Sequence, residues 1–219
     1  MIVAIDGPAG VGKSTVAKLL ASRLGFLYLD TGALYRAVAW AVLKHRTEPM
    51  DAEAVAKVLP KLSLQIEVTN RDVTVSINGQ DVTNELRTPA VSAAASVVSA
   101  IPAVRAWLLP VQRQIGQKGS VVAEGRDIGT KVFPSAPVKF FLEADPTVRA
   151  QRRHRELVAA GHGSAIEQTS AELAGRDNRD RSRTMAPLTP ADDAHHIDTS
   201  SLSADEVVNR MLAVVTAKL

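Results

Sequence analysis

The sequence predicts an α/β protein built around a parallel sheet. Three observations carry that expectation. Short, wholly apolar runs recur along the chain, a segment able to form a helix follows each of them, and the first run leads into a glycine-rich turn. Fully apolar strands alternating with helices are the pattern of a sheet covered on both faces. The elements follow in order. Met1–Ile5 is an apolar strand, and Lys13–Leu24 reads as a helix. Phe26–Leu29 follows Gly25 as a second strand. Val121–Ala123 and Val138–Leu142 are further strands, and His195–Ile197 is a weaker one before a last helix from Ala204 to about Ala217.

The stretch from Arg36 to Val121 is several times longer than the roughly one dozen residues that a strand–helix–strand crossover needs. Within it Leu62, Leu64, Ile66 and Val68 alternate with polar residues, and Val73, Val75 and Ile77 do the same. Period-two patterning around a polar Thr69–Asp72 turn predicts an antiparallel hairpin with one wet face. Asn78-Gly79 predicts a second turn, with a short third strand near Val82. The whole reads as a small β insertion on the α/β core, over 61–88. Thr88-Pro89 has the form of an N-cap with proline at the first helical position, and Pro102 opens the next helix.

Composition narrows the function. The 219 residues are 46% hydrophobic and 22% charged, and mean hydropathy is +0.02, which excludes a mostly disordered chain. No apolar run reaches the roughly 18–20 residues of a bilayer span; the run Ala37–Leu43 stops at Lys44 and His45. With a strand at the very start and no basic leader before it, no secretory signal is expected. The absence of cysteine excludes a disulfide framework, a thiolate zinc site and a cysteine nucleophile, and suits a reducing cytoplasm. The net charge is only +3, so the pI near 9.3 reflects how few groups titrate between His and Lys rather than a nucleic-acid footprint. The five histidines lack metal-ligand spacing and read as structural or exposed; Trp40, Trp107, Phe140 and Phe141 read as core.

Gly7-Pro8-Ala9-Gly10-Val11-Gly12-Lys13-Ser14 fits G-x-x-x-x-G-K-[ST] at every fixed position, with Thr15 following. Such a loop turns its N–H groups inward as a nest for phosphate oxygens, backed by the positive end of the next helix. Lys13 is a mobile charge that can follow the transferred phosphate. The Ser14 hydroxyl is the expected ligand of a nucleotide-bound Mg²⁺. The motif specifies a nucleoside triphosphate but not the fate of its γ-phosphate, leaving a small-molecule kinase, a GTPase-like switch and a motor ATPase open. No Asn is followed by Lys, so the guanine motif of a GTPase is missing, and Val121-Val122-Ala123-Glu124 is a poor motor strand.

The arginines point further. Phosphoryl transfer is positioning plus cationic clamping, and a phosphate acceptor asks for additional guanidinium forks. Arg36 and Arg126 follow strands; Arg149, Arg152, Arg153 and Arg155 share one helix; Arg176, Arg179, Arg181 and Arg183 are interleaved with Asp177 and Asp180. A solvated helix face is the alternative for Arg149 and Arg155, and a surface ion-pair ladder is the alternative for the last group. Gly161-His162-Gly163-Ser164 between the two helices makes 149–183 read as a lid. No aromatic residues are interleaved there, as a nucleic-acid surface would prefer.

Gly7–Thr15, Asp30-Thr31-Gly32-Ala33-Leu34-Tyr35-Arg36, Gly125-Arg126-Asp127-Ile128-Gly129-Thr130 and the run Arg176–Arg183 together resemble the bacterial cytidylate kinase family. The resemblance covers essentially the whole chain. It implies one P-loop kinase domain over 1–219, with a five-stranded parallel sheet and with the β insertion on the acceptor side. It implies ATP and Mg²⁺ as cofactors and transfer of the γ-phosphate to CMP or dCMP. It places Thr31, Tyr35, Arg36, Ser96, Arg105, Arg126 and Asp127 beside the acceptor, and Asp180 and Arg183 at its sugar and phosphate. Arg152 and Arg176 would close on the transferring phosphate, beside Lys13. Two departures are small: Glu124 stands where Asp is frequent, and Thr31 where Ser is common. A monomer acting on small nucleotides, without nucleic-acid or membrane partner, is the corresponding expectation.

Overall fold

The alternation of apolar strands and helices is realised in the computed structural model, which describes residues 1–68, 73–163 and 165–219. In chain order the elements are β1 (Ile2–Asp6), α1 (Lys13–Leu24), β2 (Leu27–Asp30), α2 (Thr31–Lys44) and α3 (Ala52–Val58). Then come β3 (Leu64–Val68), β4 (Val73–Ile77), β5 (Gln80–Asp81), α4 (Pro89–Val98) and α5 (Pro102–Gly116). The chain closes with β6 (Val121–Gly125), β7 (Val138–Glu143), α6 (Pro146–Ala159), α7 (Ile166–Ser182), β8 (His195–Asp198) and α8 (Ala204–Thr216). Five parallel strands form the main sheet in the order β2-β6-β1-β7-β8, and β3-β4-β5 form a second, antiparallel sheet. No single helix among the described residues is long and apolar enough to cross a membrane.

The chain divides into two compact units, Met1–Leu20 with Glu124–Leu219, and Ala21–Ala123. In the first, β1 pairs with β7 from Val3↔Val138 to Asp6↔Phe141, and β7 pairs with β8 from Phe140↔His195 to Glu143↔Asp198. Helices α6 and α7 pack together, and Ala9 of the glycine loop joins Ala150 and Leu173 in a small core beneath them. The histidine rings of β8 are exposed and lie tilted against Phe140 and Phe141.

In the second unit α2 is buried nearly all round and packs against α4, α5 and β4. Such a helix is apolar on every face because it has no wet side. The hairpin forms as its period-two pattern predicts, with Leu64 opposite Ile77 and Ile66 opposite Val75. Asn78 and Gly79 take φ of 52° and 80°, the left-handed pair of a tight hairpin turn, and lead into β5. The turn expected at Thr69–Asp72 lies outside the described residues, as does Ser164 of the expected glycine break. Thr88 caps α4 by accepting from the Val91 N–H, with Pro89 at its first position.

One expectation fails. After β6 there is no ordinary helix, only a five-residue π-turn, Ile128–Val132. The Val132 N–H reaches back to the Asp127 carbonyl and that of Phe133 to Ile128. The chain then reaches Pro134 and re-enters the sheet at Val138, too few residues on for a helix to fit. Helix α3, capped by Asp51 at the Ala54 N–H, is an element the patterning did not single out.

Candidate active site

The loop Gly7–Thr15 connects β1 to α1. Gly7 has φ +150°, and a Cβ there would stand 2.3 Å from the Leu142 carbonyl oxygen, so only glycine fits against β7. Gly10 and Gly12 also have positive φ. The loop thereby curls its amides toward the N-terminal end of α1, where an anion is favoured. Lys13 is buried and folds back, its Nζ donating to the Pro8 carbonyl at 2.6 Å. Burial pushes the amine down to about 7, and the Arg126 and Arg176 guanidiniums push the same way against Glu124 and Asp180. A lysine hemmed in by two arginines is an arrangement that an anionic ligand relieves.

Ser14 sits one residue on, its hydroxyl donating to Glu124 Oε1 at 2.5 Å. Glu124, near the end of β6, is buried. A hydroxyl beside a carboxylate is a hard-oxygen donor set of the kind that suits Mg²⁺. The described residues contain no group of three metal-ligating side chains, so phosphate oxygens and water would have to complete an octahedral shell.

A second layer comes from the segment after β6 and from α7. Arg126 Nε donates to Asp180 Oδ2 at 2.8 Å, and its Nη1 to the Gly125 carbonyl. Arg183 lies 3.7 Å from Asp180 Oδ1 and 3.6 Å from Asp127 Oδ1, and its Nε donates to the Ala186 carbonyl. Burial alone would raise Asp180; the charges of Arg126, Arg176 and Arg183 outweigh it and hold the carboxyl below its ordinary range. Arg126 is in turn held above its ordinary value: burial acts against it, but Asp180, Glu124 and Asp177 prevail. The acids of α7 are therefore not rungs of a surface ladder. They bond across elements, and Asp177, Asp180 and Arg183 are all buried.

Arg152 belongs to a different group in this structure. Its Nη1 donates to Thr199 Oγ1 at 3.0 Å and its Nη2 to the Thr199 carbonyl at 2.6 Å, while Thr199 Oγ1 donates to the Val11 carbonyl. It thus braces the glycine loop through the end of β8. Arg149, for which a solvated face was the alternative, is buried. It pairs with Asp177 at 2.6 Å, and its Nη1 donates to the Ala9 carbonyl at 3.0 Å.

The other predicted residues lie in the second unit. Asp30 caps α2 by accepting from the Ala33 N–H at 3.0 Å, and Arg36 Nη2 bonds its other oxygen at 2.6 Å. Burial would raise Asp30, but the charge and hydrogen bond of Arg36 hold it low. Thr31, at the start of α2, is 2% exposed. Tyr35 is buried with the Arg105 guanidinium 5.3 Å from its ring centre, a cation–π contact, and Arg105 Nη1 donates to the Ser99 carbonyl at 3.1 Å. Ser96 on α4 is buried.

Within the first unit the structure brings Lys13, Ser14, Arg126, Asp127, Arg176, Asp180 and Arg183 into one connected charge network, and adds Glu124. Within the second it brings Tyr35 to Arg105 and ties Arg36 to Asp30. The sequence reading missed Glu124, Arg149, Asp177 and Thr199 as working parts. Glu124 was legible as an acid at a strand end, whereas the partners of Arg149 and Arg152 are remote in sequence and carry no local signal.

The profile of the family described as cytidylate kinase matches residues 3–217. A cytidylate kinase of Geobacter sulfurreducens is 47% identical over 215 residues, covering 98% of this chain and 92% of the relative. One of Carboxydothermus hydrogenoformans is 46% identical over 218 residues, covering 100% and 98%. A crystal structure of an uncharacterized Eubacterium ventriosum protein superposes with a TM-score of 0.55 at 12% identity, covering 99% of this chain and 98% of its own, a likeness of fold alone. With a profile match across nearly the full length and relatives at this identity, the chain belongs to the cytidylate kinase family.

Proposed function

We propose that this chain transfers the γ-phosphate of ATP to CMP and dCMP, releasing ADP and CDP or dCDP. The observation that carries the reading is the state of Lys13. Its amine is buried in the glycine loop against the Pro8 carbonyl, and burial with the Arg126 and Arg176 charges disfavours its charged form, a setting that a polyanion would relieve. Amides of Gly7–Thr15 cradle the donor phosphates, and Lys13 follows the moving phosphoryl group. Arg176 would neutralise charge that develops on its equatorial oxygens, and Arg126 stands with Asp127 beside the acceptor. Asp180 and Arg183 orient the acceptor sugar and phosphate, with Asp127 beside them. Thr31, Tyr35, Arg36, Ser96 and Arg105 form the acceptor side of the second unit, where a buried hydroxyl and a guanidinium suit the polar edge of a cytosine. Because the acceptor is already an anion, no strong general base is required.

Ser14, with Glu124 beside it, would hold Mg²⁺, which supplies charge neutralisation between donor phosphates. Arg152 acts in this reading by bracing the loop through Thr199, and on closure it can turn toward the phosphates. A monomeric cytoplasmic enzyme acting on small nucleotides is part of the same proposal, and the cysteine-free sequence suits a reducing compartment. ADP release measured against CMP, dCMP, UMP, AMP, shikimate and no acceptor tests the proposal. Turnover with CMP and dCMP should far exceed the rest. Equal ATP consumption without acceptor, or preference for AMP or shikimate, would overturn it.

A further inference from the structure

Residues 2–5 of β1 are apolar, yet the strand ends in a carboxylate that is 4% exposed. A buried carboxylate is costly unless its oxygens are satisfied. Asp6 Oδ1 accepts from the Ile128 N–H and Oδ2 from the Gly129 N–H, both at 2.8 Å. Neither partner is a cation. These are the first amides of the π-turn, where the preceding Asp127 makes no side-chain cap of its own. A Cβ on Gly129 would lie 3.4 Å from Asp6 Oδ2 and 3.1 Å from Lys139 Cδ, so the backbone approaches closely there.

The position matters as much as the bonds. Asp6 immediately precedes Gly7 of the phosphate loop. The amides it holds directly follow Arg126 and Asp127, which contact Asp180 and Arg183. We infer that Asp6 is a positioning residue for the acceptor: by accepting from two successive main-chain amides it fixes the segment carrying Arg126 and Asp127 relative to the phosphate loop. This rests on the acceptor role proposed above for those two residues. A carboxylate is suited to the task because both of its oxygens accept. An amide in its place offers one acceptor and turns an NH₂ group against the second N–H, releasing one of the two bonds.

Burial pushes Asp6 up to about 6, opposed by its two amide hydrogen bonds; Asp127 pushes it further up, and Lys13 draws it down. Lys139, itself paired with Asp193, also packs against this turn, which carries Lys131. Once protonated, Asp6 presents one donor and one acceptor, as asparagine does. Asp6→Asn is therefore expected to raise the KM for CMP about tenfold at pH 8, the scale of one charge-assisted hydrogen bond. Its kcat and KM for ATP should stay within about twofold, and the variant-to-parent KM ratio should fall toward one at pH 5.5. Titration of the substrate phosphates is common to both proteins and cancels in the ratio.

A KM unchanged by the substitution, or a ratio that stays flat with pH, overturns the inference and leaves Asp6 a packing group. Should Asp6→Asn fail to fold, Gly129→Ala crowds the same contact and is expected to raise the KM for CMP while kcat is retained; an unchanged KM counts against the inference. If the parent fails to turn over CMP, the proposed function falls. Amide exchange then judges Asp6 alone: faster exchange of Ile128 and Gly129 in Asp6→Asn at pH 8 supports the inference, and unchanged exchange refutes it.

Discussion

Replacing Arg149 by methionine tests how the first unit is held together. The guanidinium reaches Asp177 on α7 at 2.6 Å, the Ala9 carbonyl of the phosphate loop at 3.0 Å and the Ala144 carbonyl at 3.2 Å. The two side chains are 7% and 6% exposed, so water cannot take over when one is removed. Asp177 Oδ1 has no hydrogen-bond partner among the described residues, which leaves the carboxylate all the more dependent on Arg149. Breaking a buried pair from one side costs about 3–5 kcal/mol. In a chain of this size each kcal/mol moves Tm by about 2–4 °C, so Arg149→Met should lower it by roughly 6–20 °C. Adding Asp177→Leu should restore most of the loss, since a buried pair exchanged for apolar residues is often near neutral. Recovery should stop short of complete because Asp177 also supports the charge of Arg126. Thermal unfolding of the two single variants and the double variant is the assay. A loss below about 1 kcal/mol for Arg149→Met, or simple additivity in the double variant, would refute the reasoning.

Other outcomes follow from the same geometry. Lys13→Ala should cut kcat about a hundredfold or more, with a much smaller rise in the KM for ATP, because the amine acts on charge that develops during transfer; equal turnover in steady-state assays would refute that role. Arg183→Ala should raise the KM for CMP about tenfold with a lesser effect on kcat, since it removes a buried guanidinium that faces both Asp127 and Asp180. Asp180→Ala should alter the CMP-to-dCMP preference, and an unchanged ratio of kcat/KM values would remove it from the sugar. Glu124→Gln should raise the Mg²⁺ concentration for half-maximal rate about tenfold, because the carboxylate beside the Ser14 hydroxyl loses its charge; an unaltered Mg²⁺ titration would count against the pairing.

The elements most legible in the sequence are those whose local chemistry leaves few options. The phosphate loop is one, since Gly7 faces a carbonyl oxygen that no side chain can approach. The insertion is another, because alternation over Leu64–Val68 and Val73–Ile77 with Asn78-Gly79 beyond it admits only a hairpin. What escaped was set by tertiary partners. The π-turn after β6 was expected as a helix because nothing near Ile128 announces that its amides are satisfied by Asp6, over a hundred residues earlier. Arg149 and Arg155 stand at equivalent places in an arginine-rich pattern, yet Arg149 is buried by Asp177 and the loop backbone while Arg155 is exposed. Nothing local to Ser96 announces its burial, which comes with the packing of α4 against α2. Arg152 was legible as a cation, but its tie to Thr199 depends on where β8 ends.

The central claim is that a phosphoryl group passes directly from one nucleotide to another. Following ATP labelled in its γ-phosphate, with CMP present, tests it most directly. The account predicts that the label appears in the β-phosphate of CDP in step with ADP, and that label release is negligible when CMP is withheld. Label accumulating instead as inorganic phosphate, at a rate indifferent to CMP, would contradict it.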